Sequence, residues 1–283
     1  MIEYVNNNGE VLSGESFSIR AGNRGFLYGD GVFESVRILN GRAINLENHI
    51  GRMMEGATKL KMRVPSYYTL AFFEDKINEL IQKSAVHHGG KCRISLDRAR
   101  GGTYSPESNE VEYFIEVSAI ENNFYVLNPK GKEVDVFSEY KKQMNALANY
   151  KTKNALLYVL ASIAAKEKNI DEFLLLNTSD GIIESTSSNL FVVSNGVLYT
   201  PGLEEGCLAG TMRMQVINIA LQNGLKVYEC TILPQNLLVA DEIFLTNAIS
   251  GITWVSGYRT KRYFNNVARR LVDLLNEKWT ITT

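Results

Sequence analysis

The spacing of hydrophobic and polar residues changes period several times along this 283-residue chain. Residues 32–39 (VFESVRIL) are rich in β-formers, and Asn40-Gly41 behind them is a hairpin signal, so a strand and its return are expected. Over residues 46–62, Ile50, Met53, Met54, Ala57 and Leu60 recur at helical spacing. Leu70, Phe73, Ile77, Leu80 and Ile81 repeat that spacing until Gly89-Gly90 ends it. Strands follow at 92–96 and 111–117, around a loop that carries Arg98, Gly101, Gly102 and Pro106.

A second stretch begins after an Asn-rich segment that ends in Asn128-Pro129-Lys130-Gly131. The pattern predicts a strand from 133, a helix rich in Ala and Leu over 151–168, and short strands at 173–176, 181–183, 190–193 and 197–200. Gly210 opens a helix that Asn223-Gly224 closes. Strands at 226–230 and 242–246 precede a C-terminal amphipathic helix marked by Phe264, Val267, Ala268, Leu271, Leu274 and Leu275. There is no internal repeat. The expected class is α/β or α+β in two domains: a smaller one over 1–120, a linker over 121–132, and a larger one over 133–283.

Composition narrows the function by exclusion. Lys plus Arg is 30 and Asp plus Glu is 31, a net charge of −1, and there is no run of like charges. Bulk charge therefore points to neither nucleic acid nor a membrane surface. Three cysteines without a C-x-x-C pair, and three histidines, argue against a disulfide framework and against a metal site. The first residues, MIEYVNNNGE, do not resemble a signal peptide, so the cytoplasm is the expected location.

The polar residues with chemical potential are ambiguous one at a time. Gly29-Asp30-Gly31 is an ordinary tight-turn sequence and lacks a dinucleotide fingerprint. Lys141, Lys142, Lys151 and Lys153 compete for notice, and spacing does not choose among them. Gly210-Thr211-Met212-Arg213 opens a helix, where free N–H groups and a positive dipole end suit a phosphate; many helices begin this way without one. Glu184 starts a polar run between two apolar strands, where a Ser-rich turn is the plain interpretation.

Taken together and in order, six motifs carry a resemblance: RGFLYGDGVFESVR, HIGR, YKTKN, GIIESTSSNLFVV, LAGTMR and ADEIFLTNAISGITWV. From about Tyr4 to about Lys278 the chain resembles the class IV, or fold type IV, pyridoxal-phosphate family. That family includes branched-chain aminotransferases, D-amino-acid aminotransferases and 4-amino-4-deoxychorismate lyases. The resemblance implies pyridoxal 5′-phosphate as cofactor, with Lys151 as the Schiff-base lysine and Glu184 as the acid at the pyridine nitrogen. It puts Arg52 on the cofactor phosphate, with the N–H groups of Thr211 and Met212 beside it. Met212 stands where threonine is common, so a hydroxyl contact would be lost and the backbone contact kept. Periodicity conflicts with one of these roles: Arg52 falls with Asn48, Glu55 and Lys59 on the polar side of its helix. Lys142 and Lys153 are expected to matter little.

The chemistry suits these residue types. A long-stemmed amine can bond the cofactor aldehyde and then move a substrate proton. A carboxylate beside the ring nitrogen favours its protonated, electron-accepting form. For substrate, the resemblance points to Phe33, Ser35 and Arg98; Ser35 keeps a hydroxyl in the manner of the lyases, and Arg98 would take a carboxylate or else be a surface loop residue. The expected activity is transfer of an amino group between an amino acid and a 2-oxo acid. The alternatives are an aminodeoxychorismate lyase releasing pyruvate and 4-aminobenzoate, and a non-catalytic α/β binding protein. A homodimer is implied by the resemblance alone.

Overall fold

The computed structural model describes residues 3–281. Its contacts separate two compact units: Met1–Phe124 with Tyr150–Asn154, and Tyr125–Asn149 with Ala155–Thr283.

The first unit is an antiparallel sheet with helices on one face. Its elements are β1 (Tyr4–Asn7), β2 (Glu10–Ser13), α1 (Arg24–Tyr28), β3 (Gly31–Leu39), β4 (Arg42–Ala43), α2 (Leu46–Lys59), α3 (Leu70–Lys83), β5 (Gly90–Arg98) and β6 (Val111–Ala119). The strand order is β2-β1-β6-β5-β3-β4. Asn40 and Gly41 both adopt positive φ, 49° and 68°, as a tight hairpin with the twist of its strands requires. Successive side chains of a strand point to opposite faces. Val32, Val36, Ile94, Leu96, Ile115 and Val117 therefore share a core with Met53 and Ala57 of α2 and Phe73, Ile77 and Leu80 of α3. The register sets Phe33 opposite Ser95, Ser35 opposite Arg93 and Gly31 opposite Asp97, so the other face carries this polar row.

The second unit contains β7 (Lys132–Lys142), α4 (Leu156–Glu167), β8 (Glu172–Asn177), β9 (Ile182–Ser185), β10 (Asn189–Ser194), β11 (Val197–Thr200), α5 (Thr211–Gln222), β12 (Val227–Glu229), α6 (Pro234–Val239), β13 (Glu242–Asn247), β14 (Gly251–Tyr258), β15 (Lys261–Arg262) and α7 (Asn266–Ile281). The order β12-β11-β10-β13-β14-β7-β8-β9 closes on itself because β9 also pairs with β10. Pairing β7 with β8 and with β14 is parallel. One apolar cluster joins Val134, Leu174, Leu190, Ile243 and Val255. A second packs Phe137, Phe173, Leu175 and Ile183 against Ala161, Ala164 and Ala165 of α4. No helix among the described residues is long and apolar enough to cross a membrane.

Two expectations need correction. The helix expected from residue 151 begins at Leu156. Residues 150–154 are non-helical, with Thr152 bridged to Val32, and belong to the first unit, so Lys151 does not lie in a C-terminal domain beginning at 133, and the chain passes between the units more than once. The cause is backbone pairing with β3. The Phe33 N–H donates to the Lys151 carbonyl at 2.9 Å, and the Lys153 N–H donates to Gly31 at 3.0 Å. A residue whose N–H and C=O serve a strand cannot also serve the first turn of a helix.

Candidate active site

In the first unit, the short extended segment at Lys151 lies along the start of β3, with Thr152 bridged to Val32. The Lys151 Nζ sits 4.4 Å from the centre of the Phe33 ring. The Arg93 guanidinium lies against the same ring at 3.9 Å. Both are cation–π distances. Arg93 is half-buried and stands opposite Ser35 in the β3–β5 register. Burial pulls its guanidinium below the ordinary arginine value, against the opposing pull of Glu116 and Asp97. No salt bridge to Arg93 exists among the described residues, so a half-buried cation lies beside Lys151 and Ser35.

Beneath the sheet, on the helix side, Glu34 is fully buried. Arg52 donates from Nε to Glu34 Oε1 at 2.7 Å and from Nη2 to Oε2 at 2.5 Å. His49 Nδ1 lies 2.6 Å from Oε2. Burial alone would raise the Glu34 pKa; the Arg52 charge and the bonds from His49 and Arg52 outweigh it and hold the carboxyl at about 2. The Arg52 side chain is only 9% exposed, which resolves the conflict with periodicity: the Glu34 carboxylate draws this arginine out of the polar stripe of α2.

Arg98 is buried rather than on the surface. Its Nε donates to Asp30 at 2.8 Å, Nη1 to Asn109 at 2.6 Å and Nη2 to the Leu60 carbonyl at 2.7 Å. Arg24 shares the same Asp30 oxygen at 2.8 Å. Arg98 thus braces the loop after β5, and a substrate carboxylate would have to displace these partners.

In the second unit, Glu184 on β9 is buried and accepts three hydrogen bonds. Its Oε1 takes the Lys142 ammonium at 2.6 Å and the Tyr158 hydroxyl at 2.9 Å; its Oε2 takes the Leu208 N–H at 2.8 Å. Burial and the neighbouring carboxylate push the Tyr158 pKa well up, so the phenol stays a donor. Lys142 is therefore a direct partner of Glu184. Sequence offered no sign of this, nor of Tyr158.

Leu208 leads into the start of α5. Gly210 is its N-cap and gives no side-chain cap, while Thr211 and Met212 are buried. A Cβ on Gly210 would collide with the Asn189 amide, so only glycine lets the backbone lie this close. Thr246, directly across from Asn189 in the β10–β13 register, has a buried hydroxyl without a hydrogen-bond partner among the described residues. Gly210 gives α5 no side-chain cap, and the N–H groups of a helix start suit a phosphate. The donors fit the cofactor that the sequence implies. Among the described residues no group of His, Cys, Asp and Glu could hold a metal ion.

Comparison with known proteins agrees with this chemistry. The family model for class IV amino-transferases matches residues 31–258. A D-alanine aminotransferase of Bacillus licheniformis is 27% identical over 248 residues, spanning 87% of this chain and 84% of that one. An aminodeoxychorismate lyase of Vibrio harveyi is 27% identical over 238 residues, spanning 83% and 86%. The crystal structure of a branched-chain aminotransferase from Thermoproteus uzoniensis with norvaline superposes with a TM-score of 0.89 at 22% identity, covering 96% of this chain and 93% of that one. The chain belongs to the class IV aminotransferase family and is a pyridoxal-phosphate-dependent enzyme.

Proposed function

We propose that this aminotransferase holds its cofactor through Lys151, Arg52, Glu184 and the start of α5, and receives the carboxylate of its amino-acid substrate at Arg93 beside Ser35. The observation that carries the reading is the placement of Lys151 and Arg93 against the one Phe33 ring. When bound, pyridoxal phosphate supplies an aldehyde that captures amines and a ring that accepts electrons as the α-proton leaves. Lys151 would hold the cofactor covalently, and its amine, once displaced by the substrate amine, would take and return the substrate α-proton. Glu184, which accepts three hydrogen bonds, would lie at the ring nitrogen and favour its proton. Arg52, oriented by Glu34, meets the phosphate together with the N–H groups of Thr211 and Met212.

Arg93 replaces Arg98 in the carboxylate role because its charge has no acidic partner in contact. Phe33 fixes the guanidinium, and Ser35 adds a hydroxyl within the same cross-strand pair. That hydroxyl also supports the second reading, an aminodeoxychorismate lyase, whose Vibrio relative is as similar as the D-alanine enzyme. The assembly is a homodimer: Leu156, Val159, Leu160 and Ile163 of α4 form an exposed apolar stripe at helical spacing, which a second copy would cover. Unpaired cysteines, two of them buried, accord with a reducing cytoplasm.

The test is Lys151→Ala. The purified variant should fold, lose the visible absorbance of covalently held cofactor, and lose turnover. Retained activity would remove Lys151 from the mechanism. Supplying wild type with single amino acids and 2-oxo acids, or with aminodeoxychorismate, separates the two reactions. Conversion of the cofactor absorbance by amino acids marks amino transfer, and release of pyruvate from aminodeoxychorismate marks the lyase.

A further inference from the structure

The segment that presents Lys151 is only a few residues long, and one residue of slip would turn Lys151 away, because successive side chains of a strand alternate in direction. Two backbone bonds hold the segment to β3, the Phe33 N–H to Lys151 and the Lys153 N–H to Gly31. Backbone bonds of this kind do not by themselves choose the register. Side chains must.

Lys153 shares a face with Lys151, since their side chains reach Asp97 and Phe33, which the β3–β5 register sets on one face. Its ammonium reaches 2.5 Å from Asp97 Oδ1, with the lysine side chain 18% exposed and the aspartate 1%. Asp97 lies on β5 opposite Gly31, on the face that also carries Phe33. Its other oxygen accepts from the Asn23 amide at 3.2 Å, and Asn23 caps α1 through the Phe26 N–H at 2.7 Å. The surroundings are shaped for the pair. A Cβ on Gly31 would collide with Asp97 and crowd the Lys153 stem, which lies 3.2 Å away. A Cβ on Gly25 would overlap the Asp97 carboxylate. Both glycines leave the space that the ion pair fills.

We propose that the Lys153–Asp97 ion pair is the register lock of the lysine-bearing segment, making Lys153 and Asp97 positioning residues for Lys151. The inference rests on Lys151 being the cofactor lysine. With the pair in place, Lys153 anchors one end of the segment, and Lys151, two residues back, is fixed over Phe33. Any slip would pull the Lys153 charge off a buried carboxylate, which then has no cation in contact. Slip is thereby suppressed without any contact to Lys151 itself.

The test uses Lys153→Met, Lys153→Arg and Asp97→Asn in the full-length chain. Amide hydrogen exchange at Phe33 and Lys153 reports the two segment bonds without cofactor. Exchange there should rise by about tenfold or more in Lys153→Met, while amides of α2 and α3 stay protected. The rate at which added pyridoxal phosphate becomes covalently bound, read by absorbance, should fall by about tenfold in parallel. Lys153→Arg, which can still reach Asp97, should restore both. If Lys153→Met does not fold, Asp97→Asn carries the same readouts with size preserved. Unchanged exchange at Phe33 and Lys153 would overturn the lock. So would a loss of protection spread evenly over the unit, which marks a merely structural pair. Failure of the underlying reading shows separately: in Lys151→Ala, covalent capture would persist.

Discussion

The Lys142–Glu184 pair permits a prediction in which the cofactor repairs a mutant. Glu184 is buried and Lys142 mostly so, their side chains 4% and 12% exposed, with Nζ and Oε1 at 2.6 Å. At an effective dielectric constant of about 20, a pair that close attracts by roughly 6 kcal/mol before desolvation is subtracted. Removing one partner of a buried pair leaves an uncompensated charge and costs about 3–5 kcal/mol. Lys142→Met keeps the volume and removes the cation, leaving Glu184 with only the Tyr158 hydroxyl and the Leu208 N–H. For a chain of this size each kcal/mol lowers Tm by about 2–4 °C, so the apoprotein should melt about 6–20 °C below wild type. The neighbouring pair of Lys141 and Asp180 is the control, since its side chains are 35% and 67% exposed. Lys141→Met should cost no more than about 1 kcal/mol.

The informative measurement is Tm with and without saturating pyridoxal phosphate. If Glu184 faces the ring nitrogen, the protonated ring supplies the positive charge that Lys142→Met removes. Cofactor should then raise the Tm of Lys142→Met by several degrees more than it raises that of wild type, because a ligand stabilises the native state by its differential affinity. An equal deficit with and without cofactor would refute the idea that the ring nitrogen and Lys142 share one carboxylate. No deficit at all would refute the buried pair.

Two further predictions follow from the first unit. Glu34 is held at about 2 in the folded protein against an ordinary value of 4.5, a depressed carboxylate, so its contribution is complete above about pH 4.5 and is lost as pH falls towards 2. The shift corresponds to about 3 kcal/mol, so Tm of wild type should fall steeply over that window, while Glu34→Gln starts lower at neutral pH and the gap narrows on acidification; parallel curves would contradict the assignment. Arg93→Leu should raise KM for the amino-acid substrate by one to two orders of magnitude, roughly the worth of a charged hydrogen bond, with a smaller change in kcat. An unchanged KM would return the carboxylate role to another group.

The difference between what could and could not be read from the chain lies in which interactions leave a local trace. Burial of Glu34 was legible: in VFESVRIL it shares the alternate positions of Val32 and Val36, so whichever face the valines bury must also bury the carboxylate. Burial of Arg52 was not, because its helix period places it with Asn48 and Glu55, and only a carboxylate on another element reverses that. Arg93 carried an unused signal, a cation alternating with Cys92, Ile94 and Leu96, which sets it on the face opposite the core. Lys142 carried none. Between Phe137 and Lys142 the pairing of β7 with β8 shifts register, so the two-residue count that sorts the start of the strand cannot be extended to its end. The segment at Lys151 fails for a related reason. The helix formers of KTKNALLYVLA run from Ala155, while Thr152 and Asn154 rank low in helix propensity, and the residues around Lys151 bond to β3 instead of entering the helix. Periodicity assigns a side chain to a face. The partner that gives a charged side chain its role comes from another segment, and at Glu34, Glu184 and Asp97 alike that partner is a cation whose own neighbourhood in sequence is indistinguishable from a solvated surface.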